Sequence, residues 1–336
     1  MTHNDSAIAP GRTPLPRRSA ALGWGLLGVL AFSFTVPFTR VADRALSPLF
    51  IGSARAVVAA LLAAVALAAT RQRRPDARQW RRLGVVAGGI VVGFPLLTSY
   101  ALTTVPASHG AVVIALLPAA TATTVVLRTG ERPPPLFWLV AAAGAAAAVA
   151  FAAARSGGLT QVSTADLLLF GAVVAAAIGY AEGGLLAREL GAWQTVSWAL
   201  VLSAPLMTTL ATLSVVRDHP SAGGAQWAAL AYLGAVSMFL GFFAWYRGLA
   251  LGPMAQVSQV QLVQPVLTLC WAALLLGEPL TGTTLLGGAG VVVCAALAVR
   301  VRLGAPGPQP TGSTSPASAT SPVAPVRSAR RPSTIT

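Results

Sequence analysis

Residues 105–131 read VPASHGAVVIALLPAATATTVVLRTGE, and residues 252–278 read GPMAQVSQVQLVQPVLTLCWAALLLGE. Pro106, Pro118 and Glu131 stand 147 residues before Pro253, Pro265 and Glu278, with no gap needed. Helix-breaking prolines and a boundary acid at one shared offset are hard to obtain by drift of an Ala/Leu/Val-rich composition. The chain therefore reads as a duplicated membrane unit, an arrangement typical of transporters. The first spans of the two halves agree more weakly, Gly25 and Phe34 matching Gly171 and Tyr180 at an offset of 146.

Composition supports a membrane protein. The chain is 55% hydrophobic and 10% charged, with a mean hydropathy of +0.71. Apolar runs of about 20 residues recur, each long enough for a hydrocarbon core roughly 30 Å thick. Ten spans are expected, at about 20–40, 47–69, 83–103, 106–127, 135–154, 165–187, 193–216, 226–250, 253–276 and 280–299. They divide the chain into a cytoplasmic segment 1–19, five-helix repeats at 20–154 and 165–300, and a tail from 301 to 336. The tail is rich in Pro, Ser, Thr, Gly and Ala and should be disordered. Arg12, Arg17 and Arg18 resemble the basic end of a signal peptide, but no convincing cleavage site follows, so span one is read as retained.

The net charge of +14 is not a nucleic-acid footprint, because the arginines sit between or outside the apolar runs. With the N-terminus inside, inner segments hold 18 arginines and outer segments hold 4, namely Arg40, Arg44, Arg155 and Arg217. The positive-inside rule then places both termini in the cytoplasm of a multi-pass cell-membrane protein. Five spans per half is an odd number, so the second copy crosses in the opposite sense. The expected fold is an all-α integral membrane protein of ten transmembrane helices, built as two inverted five-helix repeats. There is no lysine, which excludes a Walker A loop, a pyridoxal-phosphate Schiff base and any catalytic lysine. Cys270 and Cys294 lie in apolar runs and read as packing residues, not a disulfide framework.

With these residues in hand, the chain resembles the EamA-type transporters of the drug/metabolite transporter superfamily. The resemblance rests on five-plus-five spans and on a proline in spans four and nine with a Glu 13 residues later. The short Pro-containing links at 104–106 and 251–253 and Arg55 early in span two add to it, and it covers roughly residues 20–300. It implies a ten-helix secondary carrier with a central cavity, often exporting amino acids, metabolites or drugs. It does not imply a substrate.

Pro118 and Pro265 fall near mid-membrane, where each removes a backbone hydrogen bond and crowds the carbonyl four residues earlier, at Ile114 and Gln261. Bare carbonyls should face protein or a water-filled cavity, so kinked spans four and nine are expected to line the pathway. Gln256, Gln259, Gln261 and Gln264 crowd span nine. At 100° per residue the first two share a face, with Gln264 near it and Gln261 further round. Neutral amides suit a polar or zwitterionic solute, and otherwise serve as interhelical contacts. His109 is the first-half counterpart of Gln256, expected at the outer end of span four as a titrating group or a solvated cap. Glu182 lies within span six at a depth matching Arg247 in span eight, beside the helix-weakening Gly183 and Gly184. It reads as a coupling acid or amine ligand, or as half of a buried Glu182–Arg247 bridge.

Arg55 reads either as an attractor for a carboxylate or as a structural anchor. Glu131 and Glu278 precede spans five and ten and read as helix caps. Tyr100, Tyr180, Trp245 and Tyr246 are candidate cavity aromatics, of which Tyr100 and Tyr180 join the pathway set. No metal cluster, cofactor motif or catalytic dyad assembles from three His, two Cys and one embedded acid. The partners expected are a small-molecule solute and the lipid bilayer, with no nucleic acid and no oligomer state implied. An intramembrane enzyme and a non-transporting scaffold are the rival readings.

Overall fold

The computed structural model describes residues 15–130, 134–156, 163–251, 257 and 260–304. Every regular element among the described residues is helical. Seven helices are long and apolar enough to cross a membrane: Ser19–Ala42, Pro48–Ala69, Ala77–Ala101, Ala107–Arg128, Thr164–Leu190, Ala192–Asp218 and Gly224–Leu251. Shorter apolar helices at Pro135–Phe151, Val260–Leu276 and Gly282–Cys294 take the places expected for spans five, nine and ten. The last helix runs to Gly304, beyond the expected start of the tail. Glu131, Gln256, Gln259, the segment 1–14 and the chain from 305 onward lie outside the described residues.

Local chemistry sets the helix ends. Ser47 accepts a hydrogen bond from the Phe50 N–H at 3.3 Å, with Pro48 in the first turn of span two. Asp76 and Gln79 form a reciprocal capping box at the start of span three, and Ser163 and Asp166 form another at the start of span six. Spans four and nine end alike: Gly130 and Gly277 are left-handed, with φ of 71° and 66°, a conformation that favours glycine.

The same irregularity recurs in spans three and eight. Ala87–Gly93 and Tyr232–Gly241 are wound as π-helix. Span one is also interrupted, its helices Leu15–Ser33 and Thr35–Ala42 meeting at Phe34. Pro37 explains the break. It has no N–H to offer the Ser33 carbonyl, which instead accepts from the Thr268 hydroxyl of span nine at 3.0 Å.

Packing repeats between the halves. Span two lies along span seven, and span five along span ten. Span one packs on span eight as span three packs on span six. Glycine permits the close approach between spans one and eight: a Cβ on Gly248 would lie 2.7 Å from the Gly25 nitrogen. Large apolar side chains cover the outside, with Leu274 74% and Leu286 77% exposed, as lipid-facing helices require.

Candidate solute site

The two prolines of the repeated element break their helices. The helix Ala107–Ile114 stops where Pro118 would have had to donate, Leu116 turns back to Val113 O at 3.2 Å, and a new helix starts at Leu117. Span nine is a 3-10 turn over Val260–Val263, followed by the helix Gln264–Leu276 with Pro265 in its first turn. The expected kinks are therefore discontinuities, and they face each other. Pro118, Pro265, Gln261, Gln264 and Thr268 line one small pocket together. In a 3-10 segment residues three apart eclipse, which puts Gln261 and Gln264 on the same side. The 100° rule used on the sequence already sets these two only about 60° apart; it passed over Gln261 because the face was measured from Gln256, about 140° away.

A larger central cavity adjoins this pocket, sharing Val36, Ile114, Leu117 and Gln264 with it. Spans one, three, four, six, eight and nine all contribute, through residues such as Phe32, Phe94, Tyr180 and Phe242, and Arg55 enters from span two. The centre of a water-sized sphere can reach about 30 Å³ of it, room for about two waters. Its polar residues are Thr35 and Ser237, whose hydroxyls are bonded to each other at 2.7 Å, Tyr180, Gln264 and Arg55. Arg55 is 2% exposed, and its Nε and Nη1 have no hydrogen-bond partner; Gln264 Oε1 and Gln261 Nε2 are likewise unsatisfied.

Ion pairs hold spans three, four and six together. Glu182 of span six is 4% exposed and is gripped from two sides, by Arg82 of span three and by Arg128 Nε of span four at 2.8 Å. Arg82 also reaches Glu189. At the other end of span four, His109 is buried, its Nε2 2.6 Å from Asp166 Oδ1 in span six. A second set of bonds joins spans one, eight and nine. Besides Thr35–Ser237 and Thr268–Ser33, Trp271 Nε1 donates to Ser33 Oγ at 2.9 Å and Tyr232 Oη to the Ala31 carbonyl at 3.2 Å.

The two sets are linked by Arg40 Nη1, which donates to the Leu102 carbonyl at 2.7 Å, by Tyr246 Oη, which donates to the Gly179 carbonyl at 3.4 Å, and by one carboxylate. Glu278, at the end of span nine, accepts from the N–H groups of Ala107 and Ser108, each at 2.8 Å, and so caps span four. On the far side of span six lies an open groove of about 840 Å³, lined by Arg78, Arg81, Arg82, Arg128, Glu182 and Arg188 among others. Its residues on span six follow an i, i+3, i+4 stripe turned away from Ala176 and Tyr180, so the groove is separate from the cavity.

The EamA-like transporter family model matches residues 19–153 and again 163–300. The chain belongs to the EamA-like transporter family. It is 44% identical over 280 residues, covering 83% of this chain and 97% of the other, to a Bacillus subtilis (strain 168) protein named uncharacterized transporter YdeK. A solved crystal structure with 21% sequence identity covers 85% of this chain and 98% of its own, at a TM-score of 0.59; at that identity it shows the fold alone.

In this EamA-like transporter the expected site residues divide. Pro118, Pro265 and Gln264 meet in the small pocket, and Tyr180 and Arg55 line the cavity beside it. Tyr100 does not join them: it is 43% exposed at the end of span three. Trp245 and Tyr246 are buried by packing, without lining the cavity. The Glu182–Arg247 bridge is not formed, because Arg82 and Arg128 take both carboxylate oxygens. Arg247 instead lies over the Trp24 ring at 5.3 Å. Nor do Gly183 and Gly184 interrupt span six, whose helix runs unbroken from Thr164 to Leu190. Gly183 makes room for the Tyr246 ring.

His109 is neither solvated nor a cap, since Asp166 draws it inward. Glu278 caps span four, not span ten, whose first turn is served by the Thr281 hydroxyl accepting from Thr284 N at 3.3 Å. The sequence did carry signals for two residues missed. STAD at 163–166 is a capping-box pattern that marks Asp166 as ordered, and Pro37 inside an apolar run marks the break in span one.

Proposed function

We propose that this chain is a secondary transporter that exports a small polar metabolite, amino acid or drug across the cell membrane by alternating access between inverted halves. One observation carries the reading: most polar ties fall within two bodies, spans three, four and six and spans eight, nine and one, and the ties that cross between them are few, from Glu278 to span four, from Arg40 to the Leu102 and Thr103 carbonyls and from Tyr246 to the Gly179 carbonyl. The bodies are the same three spans of each repeat, displaced by five. The central cavity lies between them, with a broken helix from each body at its wall. No ATP-binding motif stands in the sequence, so the driving force is a gradient. The arginine-rich end of the bundle, with Arg78, Arg81, Arg82 and Arg188, is the cytoplasmic end by the positive-inside rule.

In this mechanism the bodies rock about the cavity, and the Glu278 cap closes the outer side by tying the end of span nine to the start of span four. The tight cavity corresponds to a closed stage, opened when the bodies separate.

Two experiments test the reading. A metabolite comparison between cells with and without the protein identifies the solute with no prior guess, and proteoliposome flux of that solute establishes carriage. Cross-linking then tests the motion, using thiols introduced as Ser108→Cys and Glu278→Cys after replacement of Cys270 and Cys294. A short bifunctional reagent across that pair should stop transport. The same reagent across His109→Cys and Asp166→Cys, within one body, should leave the cross-linked fraction as active as the uncross-linked variant. Equal inhibition by both pairs removes the two-body mechanism.

A further inference from the structure

Arg55 poses an electrostatic problem that the solute can resolve. A buried guanidinium without a counter-charge is costly, and breaking such a pair by removing one partner typically costs 3–5 kcal/mol. The other acids among the described residues are all engaged. Asp43 pairs with Arg40, Asp76 sits in its capping box, Asp166 binds His109 and Ser163, and Glu182 and Glu189 bind Arg82. Asp218 accepts from Ser214, and Glu278 caps span four. No acidic side chain among the described residues lines the cavity. Arg55 thus presents donors unpaired among the described residues in a chamber otherwise walled by aromatic rings, aliphatic groups, the hydroxyl-bearing Thr35, Ser237 and Tyr180, and one amide.

We infer that the solute of this carrier is an organic monoanion, a carboxylate on an apolar or aromatic body, and that Arg55 is its counter-charge. The inference rests on the transporter reading and narrows it. A cation would meet like charge in a low-dielectric chamber, and a zwitterion would bring an ammonium for which the cavity offers no acid. The planar fork of Arg suits a carboxylate bidentately. Phe32, Phe94, Tyr180 and Phe242 then enclose the body of the solute. Thr35, Ser237 and Gln264 supply secondary hydrogen bonds. The cavity must widen to admit it, which the separation of the two bodies provides.

The test uses the purified full chain in lipid nanodiscs and three probes sharing one ring: phenylacetate, phenylacetamide and phenethylamine. Thermal unfolding is followed with each, in the wild type and in Arg55→Leu and Arg55→Lys. Phenylacetate should raise the wild-type midpoint, and the amide and amine should not. Arg55→Leu should lose the response, with carboxylate affinity down roughly 100-fold. Its ligand-free midpoint should be equal to or above the wild type, because an unpaired buried charge has gone. Arg55→Lys should retain an intermediate response.

Stabilisation by the amine or amide as large as by phenylacetate overturns the inference. So does an absent phenylacetate response, or an Arg55→Leu protein that is less stable yet still responds. Labelled-probe flux in proteoliposomes separates this inference from the broader reading. Phenylacetate that binds through Arg55 without any probe crossing leaves the site standing and sinks the carrier. Phenethylamine crossing independently of Arg55 does the reverse.

Discussion

Replacing Glu278 tests a tertiary contact between the end of span nine and the start of span four. Its two carboxylate oxygens accept from Ala107 N and Ser108 N at 2.8 Å each. Hydrogen bonds to a charged group contribute about 1.5–3 kcal/mol. The site is partly exposed, which favours the lower figure, so the pair amounts to about 3 kcal/mol. Glu278→Gln keeps one carbonyl oxygen able to accept a neutral bond of about 1 kcal/mol, a net loss of about 2 kcal/mol. At 1.4 kcal/mol per decade this is about a 30-fold rise in local opening.

Glu278→Ala loses the whole contribution, and opening rises by about 150-fold. Amide hydrogen exchange of Ala107 and Ser108 in nanodiscs reads the change directly, since these N–H groups have no partner within their own helix. The amides at the start of the helix Gly282–Gly304 serve as the control, because Thr281 supplies their cap. Exchange at 107 and 108 that stays within about threefold of wild type in both variants would refute the inter-span cap. Faster exchange at 283–285 instead would restore the plain sequence reading, in which Glu278 caps its own following helix.

Three further outcomes are expected. Glu182→Gln strands Arg82, whose side chain is 13% exposed, without its main partner, and should lower stability by about 2–3 kcal/mol in thermal or denaturant unfolding, reduced from the fully buried case by the exposure of Arg128. Unchanged stability together with lost pH-driven transport would instead make Glu182 a coupling acid. Gly183→Ala places a Cβ 2.7 Å from Tyr246 Cζ; it should cost about 1–3 kcal/mol in the wild type and close to nothing when added to Tyr246→Ala, and an equal cost in both backgrounds would mean the strain lies elsewhere. Thr268→Val frees the Ser33 carbonyl left open by Pro37 and should destabilise by about 0.6 kcal/mol, up to about 1.7, whereas Thr268→Ser should be near neutral, as measured by reversible unfolding in mixed micelles.

How much was legible depended on whether the physics involved is local. Pro118 and Pro265 were readable as helix breaks because a missing N–H is a property of the residue wherever the chain goes. Gln264 followed from the same count, while Gln261 was passed over because the face was measured from Gln256, about 140° away, and not from Gln264, with which it lines the small pocket. Arg82 and Arg128 were counted as orientation signals, since nothing in a linear sequence says that a basic residue near a span end reaches inward to Glu182. Depth matching proposed Arg247 for Glu182, but equal depth leaves azimuth open, and Arg247 lies toward Trp24.

The sequence by itself determined the membrane setting, the duplication and the places where helices cannot stay intact. These depend on transfer of apolar runs into lipid and on prolines repeated at one offset, and neither needs knowledge of neighbours. Tertiary structure alone decided which charges are paired. Arg55, Glu182, His109 and Glu278 are equally visible as letters, yet three of them acquire partners 54 to 171 residues away and Arg55 acquires none among the described residues. A charge buried in a membrane protein is defined by what packs against it, and for Arg55 we infer that this is the solute.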